Sequence, residues 1–326
     1  MEKKGPFLIK ELRSLEPGKQ LWGKYLVSEK LQRKTKDGKT IINLKISDSS
    51  GDIDVVVWES CDVAGEINSG SVIGLLGDLG LYNNRLQITA KRIKVIDEDI
   101  NIYLKGPAID IEELEGEMDE LVQSITDPYI AKLLHYIFTP EIKEAFIKAP
   151  AAKMVHHNYP GGLLEHTLKV AKICGQATDL YPLLNRDLLV AGAILHDIGK
   201  IKEYEIIVLP EYTVSGRMVG HIVLGNEMIA NVIDKIRQDG DTFPPNLEVM
   251  IKHMILSHHG YLEYGSPVTP LFPEAFVLHM ADNLDAKLFV YLNKIAEDEE
   301  SEDLFTPYDS FFEQYFFKYR YEAGEE

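Results

Sequence analysis

The periodicity of apolar residues changes once along this chain, near residue 97, and the change limits what each part can fold into. Upstream, short alternating or β-branched segments predominate at 20–30, 40–47, 52–58, 71–79 and 85–95. Turn-forming residues separate them, among them Asp37-Gly38, Asp48-Ser49-Ser50-Gly51 and Asn83-Asn84. Five such strands predict a small closed barrel. From Asp110 onward apolar residues recur with helical period and strand signals are sparse. Residues 1–97 are therefore expected to form an all-β domain. Residues 98–125 are read as a linker, marked by Gly106-Pro107, with an acidic helical segment. Residues 126–326 are read as an all-α domain. At 326 residues the chain is long enough for two separate cores.

Segment 44–58, Leu-Lys-Ile-Ser-Asp-Ser-Ser-Gly-Asp-Ile-Asp-Val-Val-Val-Trp, reads as strand, Asp-x-x-Gly turn, and a second strand ending on tryptophan. It resembles the OB-fold, in which bases of a single strand stack on aromatic side chains inside a basic groove. Tyr25, Trp58 and Tyr82 are the candidate stacking residues. Arg33, Lys34, Lys36, Lys39, Arg85 and Arg92 lie near them in sequence. Each has a plainer alternative: Trp58 as a core residue, and 33–39 as a solvated hairpin tip.

Net charge does not settle the partner. The formal charge is −18, yet residues 1–100 hold 16 Lys and Arg against 15 Asp and Glu, which leaves −19 for the rest. Much of the acidity sits in 111–120 and 297–303, runs that usually form solvated faces. No stretch approaches the length of a membrane span, and the N-terminus leads into no long apolar segment, so neither a membrane span nor a secretory signal is expected. Two cysteines, Cys61 and Cys174, make no disulfide framework, and a reducing, cytoplasmic setting is the expectation.

The chemistry concentrates in five histidines and two aspartates, in the order His166, His196-Asp197, His221, His258-His259 and Asp282. Imidazole and carboxylate are the ligands of hydrolytic transition metals. Segment 187–198 is apolar almost all round and reads as a buried helix, where His196 and Asp197 need partners. His166 and Asp282 fall on two other expected helices, 162–176 and 274–291, and helical bundles build metal sites from such convergence. A core histidine with one hydrogen bond explains any single member, but not the set. In a two-ion arrangement Asp197 bridges, His166, His196 and Asp282 complete one site, and His221 and His258 serve the second. His259 is read as a substrate contact before a ligand. Lys200 is a candidate to meet a phosphate oxygen or protonate a leaving group, with an i, i+3 ion pair as the equal alternative.

The series His166, His196-Asp197, Asp282 resembles the HD superfamily of metal-dependent phosphohydrolases. With an OB-fold ahead of it, the chain resembles more specifically the bacterial 3′→5′ exoribonucleases of the YhaM type. The segments that carry this are 156–167 (His-His-Asn-Tyr-Pro-Gly-Gly-Leu-Leu-Glu-His-Thr), 195–200 (Leu-His-Asp-Ile-Gly-Lys), Gly220-His221, 257–267 (Ser-His-His-Gly-Tyr-Leu-Glu-Tyr-Gly-Ser-Pro) and 281–287 (Ala-Asp-Asn-Leu-Asp-Ala-Lys).

The resemblance implies an all-α HD domain after the barrel and activity supported by Mn²⁺ or Co²⁺. Fe²⁺ and Zn²⁺ suit the same ligands. It implies stepwise release of nucleoside monophosphates from the 3′ end of single-stranded RNA, while no motif separates RNA from single-stranded DNA, which stays open as an alternative substrate. A metal-bound hydroxide is the expected nucleophile. His156 and His157 become candidates for the substrate phosphate or terminal ribose, and Asp285 for orienting a ligand. The aromatic tail 305–321 is read as core packing, with self-association into a homo-oligomer as the alternative. Two rivals remain. One is a cyclic-dinucleotide phosphodiesterase, although Gly260-Tyr261-Leu262 lacks the Gly-Tyr-Pro signature of that class. The other is a non-catalytic nucleic-acid-binding regulator.

Overall fold

The computed structural model describes residues 5–34, 38–82, 85–103, 110–151, 159–206, 210–298, 301, 303–309 and 312–318. The chain forms two compact units. One comprises Met1–Pro107 with Ala296–Thr306 and Phe317–Glu326, and the other comprises Ala108–Ile295 with Pro307–Phe316.

In the first unit, β1 (Gln20–Lys34) pairs antiparallel with β2 (Thr40–Asp48) and β5 (Val72–Tyr82). Strand β3 (Gly51–Trp58) continues from β2, and β6 (Arg85–Ile96) continues from β5. Parallel pairing of Val55 with Ile88 joins β3 to β6 and closes the barrel, which leaves those strands no open edge there. A short extra strand, β4 (Asp62–Ala64), lies beside β6.

Alternation fills the interior: Leu21, Tyr25, Val27, Leu44, Ile46, Val55, Val57, Ile73, Leu75 and Ile88 are all buried. One turn of helix, α1 (Ile9–Leu12), covers part of this core with Ile9 and Leu12. The Asp48 side chain holds that helix in place. Its carboxylate accepts the Ile9 N–H at 2.8 Å and the Ser50 N–H at 2.8 Å, so the Asp-x-x-Gly turn is a structural latch.

The second unit is helical: α2 (Ile111–Gln123), α3 (Pro128–Ile137), α4 (Pro140–Lys148), α5 (Gly162–Leu180), α6 (Arg186–Leu195), α7 (Lys200–Glu203), α8 (Val214–Val219), α9 (His221–Gln238), α10 (Pro245–Ser257) and α11 (Pro273–Glu297). It is not purely α, because β7 (Tyr204–Ile206) and β8 (Pro210–Tyr212) form a small hairpin.

Helix α6 is the centre of this unit, with every residue from Leu188 to Leu195 buried. Asn185 caps it by accepting the Leu188 N–H at 3.0 Å. The Asp187 carboxylate takes the Thr126 N–H at 2.8 Å and the Asp127 N–H at 2.7 Å, and the Asn185 N–H donates to Glu274 of α11 at 2.7 Å. Its entry point is thus fixed from two sides. Gly192 lets α10 approach, since a Cβ there would lie 2.2 Å from the Met254 terminal methyl.

The acidic helical segment expected within 98–125 is α2, and it belongs to the helical unit. Leu114, Met118, Leu121 and Val122 form an apolar stripe on α2 that packs into its core, while Lys143 pairs with Glu115 and Asp119 outside. In the aromatic tail, Phe312 and Phe316 pack on Tyr291 of α11 with ring centroids 5.1 and 4.4 Å away.

Tyr25 is also corrected. It has no exposed surface and its hydroxyl donates to the Phe7 carbonyl at 2.8 Å, so it packs the barrel interior and offers no face to a base. Removing only that hydroxyl in Tyr25→Phe is expected to lower stability by about 1 kcal/mol, read from urea unfolding, with strand affinity unchanged. A fall in affinity without a fall in stability would return Tyr25 to the binding surface.

Candidate metal centre

Four helix ends and one helix middle supply the polar cluster inside the second unit. His166 lies in the first turns of α5, and His196 caps the C-terminus of α6. His258 caps the C-terminus of α10, and His221 opens α9 behind Gly220, whose φ is +81°. Asp197 follows His196, and Asp282 and Asp285 lie within α11.

Each imidazole is anchored through Nδ1 by a group that only accepts. His196 Nδ1 donates to the Ala193 carbonyl and His258 Nδ1 to the Ile255 carbonyl, both at 2.7 Å. These are last-turn carbonyls that the helix itself leaves without partners. His166 Nδ1 donates to Asp285 Oδ2 at 2.7 Å, His221 Nδ1 to Glu203 Oε1 at 3.2 Å, and His259 Nδ1 to the Tyr264 carbonyl at 2.9 Å. The proton is thereby assigned to Nδ1, and the Nε2 lone pair of each ring is left for the interior of the cluster.

Those lone pairs converge on Asp197. Its Oδ2 lies 3.3 Å from His196 Nε2 and 3.7 Å from His166 Nε2. His166 Nε2 is also 3.2 Å from Asp282 Oδ1 and 3.2 Å from His196 Nε2. The other oxygen, Oδ1, lies 3.4 Å from His221 Nε2 and 3.6 Å from His258 Nε2. One carboxylate thus stands between two imidazole groups. Candidate ligand atoms of His221, His258 and His259 all lie within 4.8 Å of one another, as do those of His166, His196 and Asp197. His259 therefore stands at ligand spacing, where a substrate role had been favoured.

The set fits a divalent ion on the molecule's own terms. Asp197 Oδ1, His221 Nε2 and His258 Nε2 are buried and have no hydrogen-bond partner among the described residues. A buried acceptor without a donor costs about 1–3 kcal/mol, and a bare carboxylate costs more. Two ring nitrogens 3.2 Å apart beside two carboxylates are held together by positive charge at that point, from a proton or a metal ion. With protons alone, His166 carries that charge: burial pulls its pKa down, but the hydrogen bonds it donates to Asp282 and Asp285 outweigh burial and lift it to about 9. Burial likewise opposes ionisation of Asp197, and Lys200 and His196 reverse it, holding the carboxyl well below its usual range. Burial and the neighbouring His258 push His259 down to about 4, so it is neutral and able to ligate at physiological pH. Imidazole with carboxylate suits first-row divalent ions.

Lys200 is buried with its Nζ 2.5 Å from Asp197 Oδ2, so the i, i+3 ion pair is present. Lys36, His156 and His157 lie outside the described residues, and only the backbone of Arg85 is described. On the barrel, Arg33 pairs across from Ile41 and Ile41 from Trp58, which puts the three side chains on one face. Trp58 is 43% exposed there, Arg33 and Lys34 are exposed, and Tyr82 at the end of β5 is 65% exposed. Lys39 is also exposed, and Arg92 is paired with Asp62 at 2.7 Å.

Sequence reasoning missed three residues. Glu203 accepts both the backbone N–H and Nδ1–H of His221, and His279 donates to the His258 carbonyl at 2.8 Å. Trp22, 40% exposed on β1, is the third. Strand parity signalled Trp22, since it alternates with buried Leu21 and Tyr25. No sequence signal marked the other two.

A model of the HD domain matches residues 163–287, and a model of the OB-fold nucleic acid binding domain matches residues 27–96. A relative in Oceanobacillus iheyensis, named 3'-5' exoribonuclease YhaM, is 34% identical over 297 residues, which cover 88% of this chain and 92% of the relative. Relatives of the same name in Bacillus licheniformis and Bacillus velezensis are 33% and 31% identical, over 89% of this chain and 93% of each. The chain belongs to the YhaM exoribonuclease family. In this member the HD match spans the ligand cluster from His166 to Asp282, and the OB match spans Arg33, Lys34 and Trp58.

Asp285 fixes the His166 ring from outside the cluster. Replacing it with Ala is expected to weaken Mn²⁺ binding roughly 10- to 100-fold, measured by calorimetric titration of the metal-stripped protein. Unchanged affinity would remove its orienting role.

Proposed function

We propose that this chain is a metal-dependent 3′→5′ exoribonuclease that shortens single-stranded RNA and releases nucleoside monophosphates. The observation that carries the reading is Asp197, whose two carboxylate oxygens face separate imidazole groups while Lys200 sits on the same carboxylate. His166, His196 and Asp282 would hold one ion, and His221 and His258 a second, with Asp197 between them. His259 stands ready to ligate the second ion or to meet the substrate. Ions held in that way supply Lewis acidity at phosphorus and a nucleophile at neutral pH.

The chain's own residues do the rest. Asp285, Glu203 and the carbonyls of Ala193 and Ile255 keep the imidazoles in one tautomer and orientation. Lys200 Nζ balances the Asp197 charge and is a donor for a phosphoryl or leaving-group oxygen. Burial of the cluster excludes bulk water, which strengthens each of these charges. No side-chain nucleophile is needed.

The barrel retains the strand. Trp58 offers a stacking face, and Arg33 and Lys34 offer positive charge to phosphates on the same edge, with Tyr82 and Arg85 at the β5–β6 hairpin as further contacts. Such binding tolerates any base sequence and extends to single-stranded DNA. Mn²⁺ is the ion assigned, in a cytoplasmic enzyme. Among the described residues no helix is long and apolar enough to cross a membrane.

Two outcomes follow. Asp197→Ala is expected to abolish shortening of 5′-labelled RNA from its 3′ end while leaving strand affinity within about twofold of the unsubstituted protein. This is read on a sequencing gel with Mn²⁺ and by filter binding. Near-normal shortening would overturn the two-ion reading. Trp58→Ala is expected to cost about 1–3 kcal/mol of affinity for a long strand while leaving cleavage of a dinucleotide almost unchanged. Equal losses on both substrates would remove the barrel from strand retention.

A further inference from the structure

The turn that follows the paired histidines anchors His259 through one backbone carbonyl, and its side chains take no part in the cluster. Gly260 and Gly265 enter and leave it with φ of +79° and +90°, a region that side chains disfavour. A Cβ on Gly260 would lie 2.2 Å from the His279 ring. Within the turn the Tyr264 N–H donates to the Tyr261 carbonyl at 3.1 Å, and the Ser266 N–H donates to the same oxygen at 3.3 Å. This small frame presents two large rings to solvent. Tyr261 is 55% exposed and Tyr264 is 58% exposed, and their centroids are 5.6 Å apart at 85°.

Both residues are tied to the histidine cluster, Tyr264 through its backbone carbonyl and Tyr261 through His279. The Tyr264 carbonyl accepts the His259 Nδ1 proton at 2.9 Å. The Tyr261 ring lies 5.6 Å from that of His279, which in turn donates to the His258 carbonyl. The turn holds Glu263 and no Lys or Arg, so it repels phosphate and offers π faces instead. Ser266, at its exit, has a buried hydroxyl without a hydrogen-bond partner among the described residues. A buried hydroxyl of that kind calls for a polar group from elsewhere.

We propose that Tyr261 and Tyr264 form the stacking platform for the 3′-terminal base of the strand. This rests on the nuclease reading above and adds a subsite to it. The phosphodiester cut by such an enzyme is the last one, so the terminal base lies within one nucleotide of the histidines. Two phenol rings fixed beside His258 and His259 meet that base whatever its identity, because every base has a π face.

The test uses full-length, Mn²⁺-loaded protein and two 5′-labelled RNAs that differ only in their last residue, one with a base and one abasic. For the unsubstituted protein, kcat/KM for the terminal cleavage is expected to be roughly tenfold higher on the RNA with the base, within the roughly 5- to 150-fold that stacking of one base contributes. Tyr261→Ala and Tyr264→Ala are each expected to lose most of this preference through a fall on the base-containing RNA alone. Tyr261→Phe and Tyr264→Phe should retain it, and metal content should match throughout. Equal losses on both RNAs, or an undiminished preference in both Ala variants, would overturn the platform while leaving the nuclease intact. If the unsubstituted protein shortens neither RNA, the nuclease reading fails and the platform fails with it.

Discussion

The helical unit depends on one buried carboxylate. Asp197 sits at the end of a helix that is apolar on every side, where an isolated charge is untenable. Everything around it answers that constraint. Lys200 meets one oxygen from the next turn of chain, and four imidazole Nε2 atoms surround the carboxylate from α5, α6, α9 and α10. Lone pairs that face one another stabilise nothing by themselves. A cation shared by these groups would turn this repulsion into cohesion and couple its binding to folding of the unit.

Helix termini make that arrangement inexpensive to build. The last carbonyls of a helix lack internal partners, and at the ends of α6 and α10 they take the Nδ1 protons of His196 and His258. The same bond satisfies the helix and selects the ring tautomer. At the opposite pole, α9 begins at His221, and Gly199 allows the Asp197 turn to press against it: a Cβ on Gly199 would lie 2.0 Å from the His221 carbonyl oxygen. Carboxylates do the anchoring where no helix end is at hand, Asp285 for His166 and Glu203 for His221.

Legibility in the sequence followed the range of the physics. The barrel and the helical unit were readable because periods of 2 and 3.6 residues are local, and closure needed only enough strands. The ligand series was readable because a run of histidines on expected buried helices has few other uses. Misreadings arose where a second pattern was superimposed on the first. On α2 the helix was legible, but the dense acidic run suggested a solvated face and hid the stripe of Leu114, Met118 and Leu121 that packs into the core. On β1 the aromatic identity of Tyr25 outweighed its parity with Leu21, which places it inside. Glu203 and His279 were not readable at all. Their importance lies in which atom they touch, and no spacing rule encodes a hydrogen bond between α7 and α9 or between α11 and the end of α10.

The two units answer opposite demands with opposite surfaces. A stacking surface works when it is exposed and permissive, and Trp58, on the same barrel face as Arg33 with Ile41 between them, would meet that need with little energetic cost to the fold. A phosphoryl-transfer site works when its charges are buried and fixed, as at Asp197. The charge distribution follows the same division. Residues 1–100 are close to neutral and can approach a polyanion, whereas the rest carries −19 and repels one except where bound cations reverse the local sign. An acidic exterior around a cationic centre narrows the ways in which a strand can engage. RNA is repelled where its phosphates meet surface carboxylates and attracted where Arg33 and Lys34 on the barrel, or cations held by the histidine cluster, would reverse the local sign. Net negative charge is therefore compatible with a nuclease that acts at strand ends, and it acts as a filter on where the substrate can bind.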